Sequence, residues 1–119
     1  MIHEQNRKWL YVAAPYTNPD PVLNTHKVLH VANALIEHSS WLPIVPHLTL
    51  LWHAVTPKPI DEWYDYDLTL IRRCNALLRL PGPSTGADAE VDFARRLAIP
   101  VYNLGEMQHP VIEAWRSFE

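Results

Sequence analysis

Cysteine occurs once in the 119 residues, at Cys74, so no disulfide can close within the chain. A lone thiol is the usage of a reducing compartment, and the expected location is cytoplasmic. Basic runs are also missing. Ten Lys and Arg stand against 13 Asp and Glu, a formal charge of −3. That balance argues against a non-specific surface for a nucleic-acid polymer, while small anionic ligands stay compatible with it. No apolar run reaches the ~20 residues a membrane-spanning helix needs, so no membrane partner is expected. The first eight residues are polar and lack the apolar core of a signal peptide. Internal repeats and low-complexity tracts are absent, and the length predicts a single domain over 1–119.

Proline and tryptophan are plentiful instead, at 11 and five residues. The prolines predict many loop corners, and tryptophans often line pockets or interfaces. Residues 9–14, Trp-Leu-Tyr-Val-Ala-Ala, are apolar on both faces, as in a central parallel strand. The following Pro15-Tyr16-Thr17-Asn18-Pro19-Asp20-Pro21 ends it, with Asn18 as the expected cap of an amphipathic helix over 22–38. Leu42–Pro46 is a short second strand, demoted by its prolines towards an edge. A helical turn or packed loop follows from His47. Residues 60–74 read as a helix with Ile60, Tyr64, Asp67, Ile71 and Cys74 along one face. Residues 108–118 read as a last helix. The alternation predicts an α/β fold, a small doubly wound parallel sheet of four to five strands with helices on both faces.

The chain is organised around residues 75–102. Ala76-Leu-Leu-Arg-Leu80 is strand-like and stops at Pro81-Gly82-Pro83. Ser84, Thr85 and Gly86 then open a helix predicted over 86–99, leaving backbone N–H groups free at its positive end. That places an anion site at the carboxyl end of a strand, where open α/β sheets bind ligands. At 3.6 residues per turn, Ala87, Glu90, Val91, Ala94, Leu97 and Ala98 share one face, while Asp88, Asp92, Arg95 and Arg96 share the other. Glu90 is thus a carboxylate among small apolar residues, one turn past the anion site. Burial would raise its pKa. It is either a functional acid or a cap of the helix start, and residue counting leaves both open.

Asp67 is a second carboxylate on an otherwise apolar face, and a buried carboxylate needs a partner. That partner is a backbone group, Arg73, or the hydrogen-bonding edge of a ligand. Tyr11, Tyr16 and His47 stand at or near carboxyl ends of strands, within reach of the same ligand. The packing alternative makes Tyr11 core and Tyr16 a loop anchor. His26 and His30 are four apart on a helix, but no acidic or cysteine residue joins them at a metal-ligand interval. Neither a metal nor a cofactor is expected.

Tyr11-Val-Ala-Ala-Pro15-Tyr16, then Asp67 eight residues before Asn75, then Ser84-Thr-Gly86-Ala-Asp-Ala-Glu90 with Ala94 and Ile99-Pro-Val-Tyr102, together resemble the signatures of the nucleoside 2-deoxyribosyltransferase superfamily. The superfamily includes deoxynucleoside-monophosphate N-glycosidases, and the likeness spans roughly residues 9–102. The resemblance implies cleavage or transfer of an N-glycosidic bond on a small-molecule nucleoside or nucleotide. Glu90 would be the nucleophile, and Asp67 would hold the base or protonate its leaving nitrogen. Ser84 would bind the 5′ end of the sugar or a 5′-phosphate, Gly86 would let the backbone approach, and Tyr11 and Tyr16 would wall the sugar and base. It also implies a homodimer or homotetramer. The Trp-rich stretch 47–63 has no assigned counterpart. The competing reading is a module that binds a nucleotide or similar small molecule on the same fold without chemistry.

Overall fold

The computed structural model describes residues 6–118. The polar start of the chain, Met1 to Gln5, lies outside the described residues. Four strands, β1 (Lys8–Ala13), β2 (Trp41–Ile44), β3 (Ala76–Arg79) and β4 (Val101–Asn103), form one sheet in the order β2-β1-β3-β4. All three pairings are parallel. Pro43 suits β2 to the edge position it takes, since a proline cannot complete a central ladder, and Pro46 lies just beyond the strand.

Among the described residues, α1 (Pro21–His38), α2 (Thr49–Val55), α3 (Ile60–Arg73) and α4 (Thr85–Arg96) connect the strands, and α5 (His109–Arg116) follows β4. Strand periodicity sorts them into two layers. Leu10, Val12, Ala76 and Leu78 point to one face, where Val28, Val31 and Leu35 of α1 meet Val111 and Trp115 of α5. Tyr11, Ala13 and Leu77 point to the other, against Ile71 of α3 and Ala87, Val91 and Ala94 of α4. Helices on both faces of a parallel sheet make the fold doubly wound. No described helix is long and apolar enough to cross a membrane.

Three local expectations are corrected. The cap of α1 is Asp20, whose side chain accepts from the Leu23 N–H at 3.1 Å. Asn18 instead offers its carbonyl to the Asn24 side chain at 2.9 Å. Pro21 at the first helical position fixes the helix start one residue after Asp20, which decides between the two candidates. Second, α3 is not apolar-buried along its length. Ile60 is 84% exposed and Tyr64 is exposed, so the core face begins only at Asp67 and Ile71. The earlier half leans on α2 through edge-to-face contacts of Trp52, Trp63 and Tyr66.

Third, α4 stops at Arg96, not at 99, and Leu97 and Ala98 are exposed. The Ile99 N–H turns back to the Ala94 carbonyl at 2.9 Å, and Ala98 takes a left-handed φ of +58°. That is a helix-ending conformation that glycine adopts without a Cβ clash. Ala98→Gly is therefore expected to stabilise the fold by about 1 kcal/mol, read as a higher urea midpoint at unchanged slope. An unchanged or lower midpoint would show that the left-handed alanine carries no strain.

Candidate active site

The strand order reverses between β2 and β3, on either side of β1, so the carboxyl ends of β1 and β3 flank the switch point of the sheet. Ligands of open α/β sheets bind at such crevices. Two loops meet here. Gly82 has φ +121°, and a Cβ on it would lie 2.9 Å from the Pro15 Cγ. Only glycine allows both the backbone angle and the close approach of the β3–α4 turn to the β1–α1 loop. Arg79 fastens the same turn from below. Its guanidinium donates to the Leu80 carbonyl, to the Gly82 carbonyl at 2.9 Å and to Asp88 Oδ1 at 3.0 Å.

Ser84 caps α4, its Oγ accepting from the Ala87 N–H at 3.0 Å. The hydroxyl hydrogen of Ser84 stays available to a ligand. The first N–H groups of the helix, at Thr85 and Gly86, have no intrahelical carbonyl to reach. Gly86 is exposed, and a Cβ there would approach nothing nearer than Ser84 Oγ at 3.9 Å. Packing within the chain does not require glycine at 86.

One turn on, α4 turns Glu90 into the protein. The carboxylate is 7% exposed, and Ala87, Val91 and Ala94 are buried beside it. The Tyr11 hydroxyl donates to Glu90 Oε2 at 2.5 Å. Tyr11 itself is fully buried in the central strand, with its hydroxyl under Glu90. Asp67 comes from α3 on the same side of the sheet and lies close enough to Glu90 to interact with its carboxylate. Burial pushes both carboxyl groups above their ordinary range, and the charge of Glu90 raises Asp67 further. The hydrogen bond from Tyr11, the neighbouring Asp67 and the attraction of Arg79 hold Glu90 back from rising as far. Both acids are therefore biased towards their protonated forms. Burial and the nearby Glu90 push the Tyr11 phenol well above its usual value, so it stays a donor. The Cys74 thiol is buried and pushed up to about 11, which leaves it unreactive.

Tyr16 and His47 form a second group. The His47 ring is 3% exposed and meets Tyr16 edge-on at 5.3 Å. Its Nε2 donates to the Pro15 carbonyl at 2.9 Å, leaving Nδ1 as a buried acceptor without a partner among the described residues. Burial lowers the His47 pKa, so the ring is neutral. These residues brace the β1–α1 loop, and no hydrogen bond among the described residues joins them to the acid pair. A hollow of about 140 Å³ lies where the two loops meet, with Pro15, Asn24, Lys27, Gly82 and Trp115 in its wall. A wider one of about 600 Å³ lies by Trp52, Trp63 and Tyr66. Neither is lined by Glu90 or Asp67.

Sequence reasoning missed Arg79 and Gly82 as the fasteners of this site. Arg79 had a signal, a lone charge inside the apolar run 76–80. It pairs with Asp88, not with Glu90.

An acid pair beneath the switch point of a small doubly wound sheet is set on the fold of the nucleoside 2-deoxyribosyltransferases. The chain is similar in structure to a 2-desoxiribosyltransferase from Leishmania mexicana, with a TM-score of 0.58 over 87% of this chain and 76% of that one, at 19% identity. The likeness is one of fold. No protein-family model and no curated protein matches the chain.

Proposed function

We propose that the chain, acting as a single domain, cleaves or transfers the N-glycosidic bond of a nucleoside or nucleotide through a covalent glycosyl–Glu90 intermediate. The observation that carries this reading is the buried Glu90, with the half-buried Asp67 beside it and the Tyr11 hydroxyl on it. Glu90 attacks the anomeric carbon as the carbon–nitrogen bond breaks, and the Asp67 proton goes to the departing base. The carbon–oxygen ester so formed is then opened by water, or by the nitrogen of a second base, with Asp67 taking the incoming proton. The transition state is oxocarbenium-like, and a carboxylate kept from water stabilises that positive charge strongly. Substrate parts the two acids, exchanging their mutual interaction for contacts to sugar and base.

Tyr11 acts as a positioning residue beneath Glu90, while Tyr16 and His47 shape the loop over the sugar and base. Ser84 and the first N–H groups of α4 take the 5′ end or a 5′-phosphate; a serine there does not repel an anion as a second carboxylate would. Gly86→Ala probes this end. The bare fold has room for the methyl group and alanine is the better helix former, so stability is expected to hold or rise. KM should rise about tenfold if the sugar's 5′ end approaches this backbone, since such a methyl group would displace it. Unchanged KM would remove Gly86 from the site.

The test of the reaction is incubation with a panel of ribo- and deoxyribonucleosides and their monophosphates, with free base as the readout. Adding a second base separates transfer from hydrolysis. Thermal stabilisation by one of these ligands without release of base would replace the enzyme with a binding module. The reading includes a homodimer or homotetramer. Of the 13 exposed large apolar residues among those described, seven fall in residues 48–66, among them Leu51, Val55 and Ile60. Such concentration marks an association surface. Light scattering that finds only monomer at high concentration would remove this part.

A further inference from the structure

On the opposite side of the sheet from the acid pair, α1 carries His26 and His30 one turn apart, both exposed. Their Nε2 atoms face each other at 3.2 Å. The rings lie 5.0 Å apart and tilt by 33°. Phe118 closes on both edge-on, at 5.4 Å from His26 and 4.9 Å from His30. Beside them the Lys27 ammonium sits 4.2 Å over the Trp115 ring, so the C-terminal helix is pinned along this stretch of α1. In the bare chain one imidazole donates its N–H to the other.

The same geometry fits a chelate. With zinc–nitrogen bonds of ~2.0–2.1 Å, two nitrogens 3.2 Å apart subtend about 100–106° at the metal, close to tetrahedral. The i,i+4 spacing could hold a metal, and only the lack of an acidic or cysteine partner argued against one; the 3.2 Å nitrogen separation and the ring contacts that restrain it come from the fold. We propose that His26 and His30 form an exchangeable site for a divalent zinc ion, with the Nε2 atoms as ligands and water in the remaining positions. No third His, Cys, Asp or Glu joins them among the described residues. The site is therefore open, and weaker than a closed four-ligand zinc site. Phe118 restrains both rings and reduces the ordering that binding would otherwise require.

This site stands on α1 and the C-terminal segment, and it is independent of the reaction proposed for Glu90. The test is a calorimetric titration of tag-free protein with zinc, after removal of metal by EDTA and dialysis. One zinc per chain is expected, with His26→Ala and His30→Ala each weakening binding about tenfold or more. Both side chains are exposed, and circular dichroism in EDTA establishes that the variants fold. His109→Ala removes a histidine that faces Glu113 at 3.4 Å on α5 and should leave the titration unchanged. Zinc binding that survives the double variant His26→Ala/His30→Ala, that follows His109, or that is absent from the unaltered protein would overturn the proposal.

Discussion

Replacing Glu90 by glutamine is expected to reduce turnover by about a thousandfold or more while leaving the protein folded. Gln keeps the volume of the side chain, and its carbonyl oxygen can still accept from the Tyr11 hydroxyl, which now donates at 2.5 Å. Its amide can donate to Asp67. What it lacks is a nucleophilic oxygen and a negative charge for the oxocarbenium-like transition state. The two losses differ in what rescues them. Small external nucleophiles such as azide or formate, diffusing to the anomeric carbon, should restore part of the rate in Glu90→Ala, where the truncated side chain leaves space. They should do so less in Glu90→Gln, where the site stays filled. The stability arm points the other way. Burial raises the Glu90 pKa, so its ionised form is held against an unfavourable environment. Near neutral pH, Glu90→Gln should melt at or above the temperature of the unaltered protein. A variant that melts much lower would mean that Glu90 holds the fold together. One that turns over normally would end the covalent mechanism. The same variant separates the enzyme from the binding module, because a module keeps its ligand-induced stabilisation without Glu90's chemistry.

Residue spacing exposed much of this arrangement. The helical period put Ala87, Glu90, Val91 and Ala94 on one face, and all four are buried. The apolar β1 and the prolines of β2 indicated a central and an edge strand, as the sheet order has them. Period-based reasoning stops where a contact depends on three dimensions. Tyr11 and Glu90 are 79 positions apart, and their hydrogen bond exists because odd residues of β1 face α4. The 2.9 Å approach of Gly82 to Pro15 and the hold of Arg79 on the turn are likewise products of two loops converging. Helix α3 shows a different limit. Its apolar stripe is regular from Ile60 to Cys74, yet only the second half meets the sheet. A stripe declares which side is apolar, not how much of the helix the core reaches.

Raising the pH should lower stability throughout and the rate on its alkaline limb, and Asp67→Asn should separate the two effects. Asp67 and Glu90 both have folded pKa values raised above their unfolded ones, chiefly by burial. Protonation therefore favours the folded state. Its contribution is complete below about pH 4, the unfolded carboxylate value, and is lost as pH rises through the folded values. The melting temperature should fall by several degrees from mildly acidic to mildly alkaline pH. In Asp67→Asn the amide cannot ionise, and much of that slope should vanish. The rate has two limbs, because the working form of the pair carries one proton. The first loss leaves Glu90 ionised and Asp67 protonated, and raises kcat/KM. The second removes the proton that the departing base needs, and lowers it. The two apparent pKa values belong to the pair, not to either residue. Asp67→Asn should abolish the alkaline limb and slow release of a natural base about a hundredfold or more. A deoxyriboside with a nitrophenol leaving group departs without a proton, and its hydrolysis should be largely spared. If the variant slows both substrates alike, Asp67 is not the acid, and its place beside Glu90 serves only to position the nucleophile. If melting temperature is flat with pH in the unaltered protein, the bias towards protonation does not exist, and the bell-shaped rate profile should be missing as well.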